Sequence, residues 1–322
     1  MTLIATFLGI DSFREVSQAI VTGVINGAAY ALLGISFALI LGVTTRFHFA
    51  AAFTYTMCAY IAALIVNGTG IPLLPAAVIG VVCSIVIAVA IEGTVYQPLA
   101  RGRSESLLPV FVASLGIVIA GENLIRLIWG NNTRVLGGFP QHTYSVGNVN
   151  FTSLDITLVA ITVAITVSLT LLLDRTVLGQ QIRAVRGNRE MALAVGVNVR
   201  RIYLLVFAIA TLIAGVAALF DGMKFAVTPD MGNQPIFYGF VVAFVAGVTR
   251  SPVRVALVGV LIGVVERLST LWLSESTSAL TVFGLLFLFL TMTSAPAGIR
   301  QLSGALSREP RVGAPGRARG HA

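Results

Sequence analysis

Charge is what this sequence has least of. Only 11% of its 322 residues are Asp, Glu, Lys or Arg, against roughly 25% in soluble domains. So few charges cannot cover a water-facing surface, which excludes a soluble globular protein. Lysine is almost missing: Lys224 is the only one, and Arg supplies the rest of the 21 basic residues, a bias that reads as genome composition. The two cysteines, Cys58 and Cys83, fall in apolar runs without CxxC spacing, which excludes a disulfide framework and leaves them as small core residues. The three histidines, His48, His142 and His321, are scattered. There is no HExxH, no Cys/His cluster and no Walker A glycine loop. No metal, no cofactor and no ATP hydrolysis by this chain are therefore expected, and no catalytic residue is assigned. A secretory signal is not evident either: the first apolar run, 3–10, is short and is followed by Asp11, Arg14 and Glu15.

What the sequence has is long apolar runs. It is 57% hydrophobic with mean hydropathy +0.93. The runs approach 20 residues, the length of a membrane-crossing helix, rather than alternating strands of about ten. The fold class is all-α: a polytopic integral membrane helical bundle of about 8–9 transmembrane helices. The spacing predicts spans over 19–42, 47–66, 72–95, 107–129, 154–173, 202–220, 253–273 and 279–293. The shorter stretch 232–249 either crosses with difficulty or is re-entrant, since irregular backbone is tolerated where protein buries it. Residues 1–18 form an N-terminal segment, 19–299 the transmembrane domain, and 300–322 a Gly-, Pro- and Arg-rich tail whose composition cannot form a core. The link at 130–153 reads as a polar connection.

Polar residues inside the spans are functional candidates by default. Gly23, Gly27, Gly34 and Gly42 in the first span allow close helix contacts. Asn26 beside them suits an interhelical hydrogen bond or a place on a pathway. Tyr30, Tyr55 and Tyr60 suit core packing or a pathway lining. Glu122 and Arg126 lie four apart on one helical face and compensate each other. Glu92 ends the third span near the interface. Glu92 or Glu122 as general acid/base would make an intramembrane enzyme, an alternative that requires a convergent polar cluster. An ion-coupled secondary transporter is a further alternative, and it predicts two related halves that are not apparent.

The net charge of +8 reports orientation and not nucleic acid. With the N-terminus outside, nine crossings and the C-terminus in the cytoplasm, sixteen basic residues fall inside and five outside or in spans. Arginine accumulates on cytoplasmic loops, so the distribution selects this orientation. The largest such loop is 174–201, carrying Arg175, Arg183, Arg186, Arg189, Arg200 and Arg201. Within it Gly187 interrupts a helical pattern, Asn188 is a good N-cap for a helix starting at Arg189, and Gly196 is a good stop. Met191, Ala194 and Val195 share one face of that short helix. Two turns are unstable alone, so the stretch is either a solvated loop whose arginines mark the inside, the simpler reading, or a helix stabilised by docking its apolar face in a partner's groove; an acidic groove rim or membrane lipid phosphates would suit the flanking arginines.

The segment LGQQIRAVRGNREMALAVGVNVRRI resembles the cytoplasmic loop of permease subunits of branched-chain amino-acid ABC importers. INGAAYALLGISFALILGV, EGTVYQPLARG, ASLGIVIAGENLIRLIWG and VTPDMG resemble further segments of the same family in the family's order. The resemblance implies a multi-pass protein of the bacterial inner membrane that pairs with a second permease. It implies cytoplasmic ATP-binding subunits that drive transport and an extracytoplasmic solute-binding protein that delivers the cargo. It makes 189–195 the coupling helix, with Asn188, Arg189, Glu190, Met191, Ala192 and Gly196 at the ATPase contact. Candidate pathway-lining residues are Asn26, Tyr30, His48, Tyr55 and Glu122. The second span departs from the family's Asn-Phe-Ala-His-Gly opening, reading HFAAAF from His48, and the later turn reads GVTRSPVR. Branched-chain amino acids are the family's default cargo; a related small polar solute remains open.

Overall fold

A computed structural model describes residues 13–100, 107–146, 149–248, 251–273, 280–289 and 291. The segments 1–12 and 300–322, and with them the reading of the basic tail, lie outside the described residues.

The bundle is built round one long helix. Residues 16–45 carry no charge, so nothing interrupts α1, Phe13–Thr44, for 32 residues, about 48 Å at 1.5 Å per residue. Its glycines are the sites of closest approach. A Cβ on Gly27 would stand 2.6 Å from the Cα of Val260, and one on Gly259 would stand 2.6 Å from the Cα of Ala31. The α1 backbone therefore lies directly against α10, Pro252–Ser269. Lipid gives no hydrophobic drive to helix pairing, so close van der Waals packing through small residues is what holds such a seam. We predict that Gly27→Val forces the two helices apart, at about 1–3 kcal/mol or more. Thermal unfolding in detergent reads this directly. Gly116→Ala, where a Cβ meets nothing within 4 Å, is the matched control, and equal melting of the two variants would remove this account of the seam.

The next helices follow the expected spans with shifts of a few residues. α2, Ala51–Thr69, ends on Gly70 in the left-handed conformation. α3, Leu73–Ile91, continues through a π-helical turn, Glu92–Tyr96, and a short piece, Gln97–Leu99. α4 covers Leu107–Trp129. Leu74, Val78, Val82 and Val86 recur every four residues along one exposed stripe of α3, the surface a helix turns to lipid. Among the described residues six helices are long and apolar enough to cross a membrane, including α5, Ser153–Arg175, and α8, Val199–Lys224. Among the described residues α10 adds 18 residues bearing Arg254, Glu266 and Arg267, while α9, Asn233–Ala246, and α11, Leu280–Phe289, are shorter.

Two readings change in three dimensions. The 130–153 connection is not simply an irregular link. It contains an antiparallel hairpin, β1 Thr143–Val146 with β2 Val149–Thr152, and the Gln18 side chain clips it to α1 through the backbone of Asn150. Strand pairing and the Thr152–Asp155 capping box that starts α5 satisfy its backbone at the end of the bundle. The stretch 232–249, described as far as residue 248, is a short helix entered by non-helical chain. The chain leaves α8 at Lys224, bridges to Arg134 through Val227, and enters the bundle as non-helical backbone. α9 then starts beside the middle of α1, where Tyr30 and Tyr238 stack with centroids 4.5 Å apart. It ends where Gly42 of α1 meets Val248. Non-helical chain over 225–232 precedes the fourteen helical residues of α9. Buried partners make this possible: Gly232 N–H donates to the Thr56 hydroxyl at 3.1 Å, and Asn233 donates to Glu122 at 2.6 Å.

Candidate functional site: a polar cavity beside a broken helix

A cavity of about 470 Å³ lies where the chain breaks between α8 and α9, a volume within the range of small-molecule sites. α1 contributes Asn26 and Tyr30, α8 contributes Asp221 and Lys224, and the broken segment and α9 contribute Asp230, Gln234 and Tyr238. Ile25, Leu154, Leu158 and Phe220 supply apolar wall. Neutral, charged and apolar groups thus converge around one space in the half of the bundle near the hairpin.

Most of these polar groups are held by a second element. Glu266 of α10 accepts from Tyr30 at 2.7 Å and from Tyr238 at 2.9 Å. This ties the middle of α1 to α9 and to the last turn of α10. Gln234 Nε2 donates to the Tyr238 oxygen at 3.1 Å. Tyr55 donates to Asp221 at 3.1 Å, and Lys224 Nζ donates to Asp155 at 3.0 Å. At the rim Arg126 sits 3.8 Å from both Glu122 and Asp230. Toward the other end of α1 the space is filled by phenylalanines: Phe37, Phe47, Phe49, Phe111, Phe240 and Phe244 form a continuous set of ring contacts.

Of the residues expected on a pathway, Asn26 and Tyr30 line the cavity. Asn26 makes no interhelical hydrogen bond among the described residues; it faces the cavity. Tyr55 lies behind the wall, bonded to Asp221. Glu122 braces the start of α9 through Asn233. His48 lies elsewhere, in the α1–α2 connection, with Nδ1 3.1 Å from the Tyr96 hydroxyl and its ring against Phe207. Burial pushes its imidazole down to about 3, so the ring is neutral at physiological pH. Glu92 follows the last α-helical residue of α3, as expected. It is fully buried in the π-helical turn and paired with Arg46, which itself stacks on Tyr203 at 5.1 Å.

Sequence reasoning passed over Glu266, Asp221, Lys224 and Tyr238. One signal was present for Glu266, a carboxylate inside an apolar run. For Asp221 and Lys224 the turn-like composition of DGMKF pointed to a loop, yet both lie in the last turn of α8.

The short helix α7, Arg189–Ala194, forms as expected. α6, Val177–Gly187, precedes it and packs by Ile182 and Val185. Asn188 Oδ1 accepts from Met191 N–H at 3.0 Å, and Gly196 ends the turn at φ +84°. Ala192 is buried, while Met191, Leu193 and Val195 stand more than half exposed. Met191, Ala194 and Val195, the i, i+3, i+4 face, are all exposed and so point away from the bundle, while Leu193, on another side of the helix, lines a pocket with Thr44, Arg46 and Tyr203.

The cavity and the capped helix α7 thus both belong to a bundle with six helices long and apolar enough to cross a membrane among the described residues. The profile of the family described as Branched-chain amino acid transport system / permease component matches residues 19–292. The chain belongs to that family. It is 28% identical to the high-affinity branched-chain amino acid transport system permease protein LivH of Escherichia coli K12, over 90% of this chain and 96% of that protein. It is 26% identical to the corresponding permease protein BraD of Pseudomonas aeruginosa, over 88% of this chain and 94% of the relative. A solved structure, PsaBC from Streptococcus pneumoniae in complex with Fab, aligns at a TM-score of 0.47 with 14% identity, over 89% of this chain and 95% of that one.

Proposed function

We propose that this chain is the transmembrane permease subunit of an ATP-driven inner-membrane importer for branched-chain amino acids or a closely related small solute, and that the α8–α9 cavity receives the cargo. The observation that carries this reading is the convergence of opposite charges and apolar wall beside the non-helical stretch between α8 and α9. Non-helical backbone at membrane depth is tolerated where it lines such a cavity. Lys224 and Asp221 suit the two charges of an amino acid, and Ile25, Leu154 and Leu158 suit a branched aliphatic side chain. The phenylalanine cluster between the cavity and the Arg46 end closes the path in this conformation.

The hairpin end faces outward and the Arg46 end faces the cytoplasm. The arginines of α6, α7 and the start of α8 gather beside the Thr44 end of α1, as the positive-inside distribution requires. A solute-binding protein then delivers cargo at the hairpin end. A second permease closes the open side of the cavity, where Gln234 and Asp230 are exposed and lipid would leave them unsolvated. Two ATP-binding subunits dock on α7.

Reconstitution in proteoliposomes tests this reading. Uptake of labelled leucine, isoleucine or valine is expected only with the partner ATPases, ATP and the binding protein. Uptake that ignores ATP and follows a proton or sodium gradient would replace it with ion-coupled transport.

A further inference from the structure

Resting on that reading, we infer that Lys224 is the carboxylate receptor of the permease: the cargo's carboxylate takes its ammonium from Asp155. Lys224 is the only lysine of the chain and the only basic residue lining the cavity among the described residues. Arg126 stands outside the lining and is occupied at the rim by Glu122 and Asp230. Lys224 closes α8, where the helix dipole favours a cation. Its long stem lets the three donors of the ammonium swing between acceptors.

The resident partner is built to let go. Asp155 Oδ2 already accepts from Thr152 N–H at 3.0 Å and from the Thr152 hydroxyl at 2.8 Å, so Lys224 contacts only Oδ1. When the ammonium moves to a cargo carboxylate, Asp155 keeps both bonds of its capping box and loses a single contact. A purely structural ion pair would have no reason to sit against a cavity with its anion satisfied twice over. Asp221, three residues before Lys224, falls on the same helix face, so an ammonium on the carbon that bears the carboxylate meets an anion beside the cation. Solutes of similar shape without a carboxylate gain nothing at this position, which makes Lys224 a specificity determinant.

The test compares leucine taken up per ATP hydrolysed by the full transporter in proteoliposomes. Lys224→Met should lower that ratio about tenfold or more, the loss of one charge-assisted hydrogen bond, and Lys224→Arg should restore most of it. Asp155→Asn, which frees the ammonium, should hold the ratio at or above wild type. A purely structural staple would make Asp155→Asn as damaging as Lys224→Met. That pattern, or a Lys224→Met transporter with the wild-type ratio, overturns the assignment while leaving the cargo reading intact. A wild-type transporter that takes up none of the three branched-chain amino acids overturns the cargo reading and this assignment with it, before any variant is compared.

Discussion

Arg46→Met will destabilise the protein by about 3–5 kcal/mol, the cost of breaking a buried ion pair from one side. Glu92 has no exposed surface and Arg46 is its only ion-pair partner among the described residues. Removing the guanidinium leaves Glu92 to hold an uncompensated charge or to take up a proton in an apolar setting. It also removes the stack on Tyr203, which connects the end of α1 to α8. Converting both residues, Arg46→Met with Glu92→Leu, should recover most of the loss, because an apolar pair of similar volume replaces a costly ionic one. Thermal unfolding of the purified variants distinguishes these cases. If the single variant melts like wild type, the pair contributes nothing to the bundle. If the double variant stays as unstable as the single, the cost comes from lost packing rather than from the orphaned carboxylate.

Asn188→Pro and Gly196→Val should each abolish the capture of ATP-binding subunits. A six-residue helix has no stability of its own, and α7 exists because its two ends are fixed. Proline at 188 removes the side-chain cap, worth about 1 kcal/mol. It also removes the N–H that donates to Ala184 at 3.0 Å, and its ring fixes φ near −65° where the chain holds −156°. Valine at 196 must adopt φ +84°, a left-handed conformation that costs an L-residue about 1–2 kcal/mol and a β-branched one more. Either change tilts or melts the exposed face carrying Met191, Ala194 and Val195. Asn188→Asp preserves the cap and should preserve capture. The measurement is co-purification of the ATPases with the permease, followed by uptake. Undiminished co-purification in both damaging variants would mean that the ATPases hold the permease by some other surface.

Much of the architecture was legible in the chain because it follows from local rules. Span lengths come from hydropathy, and the start and stop of α7 come from Asn188 and Gly196, residues whose preferences act over one helical turn. The glycine rows of α1 announced a close seam, though not that α10 would fill it. The cavity was harder to see. Its members are ordinary alone: a tyrosine in one span, a glutamate late in another, a lysine in a stretch that looked like a turn. Hydropathy placed Glu92 at the end of a span, where α3 does end, but a count of residues along a helix does not say that Arg46 lies beside it.

The sequence by itself determined that this is a helical membrane protein, where most of its helices lie, and where a short capped helix stands among arginines. Those features depend on solvation and on interactions within a few residues. Only the tertiary structure decided the site. Tyr30 meets Glu266 across 236 positions, Asn233 meets Glu122 across 111, and Lys224 meets Asp155 across 69. Such pairs form because a buried polar group must find a partner, and which partner it finds is fixed by how the helices pack.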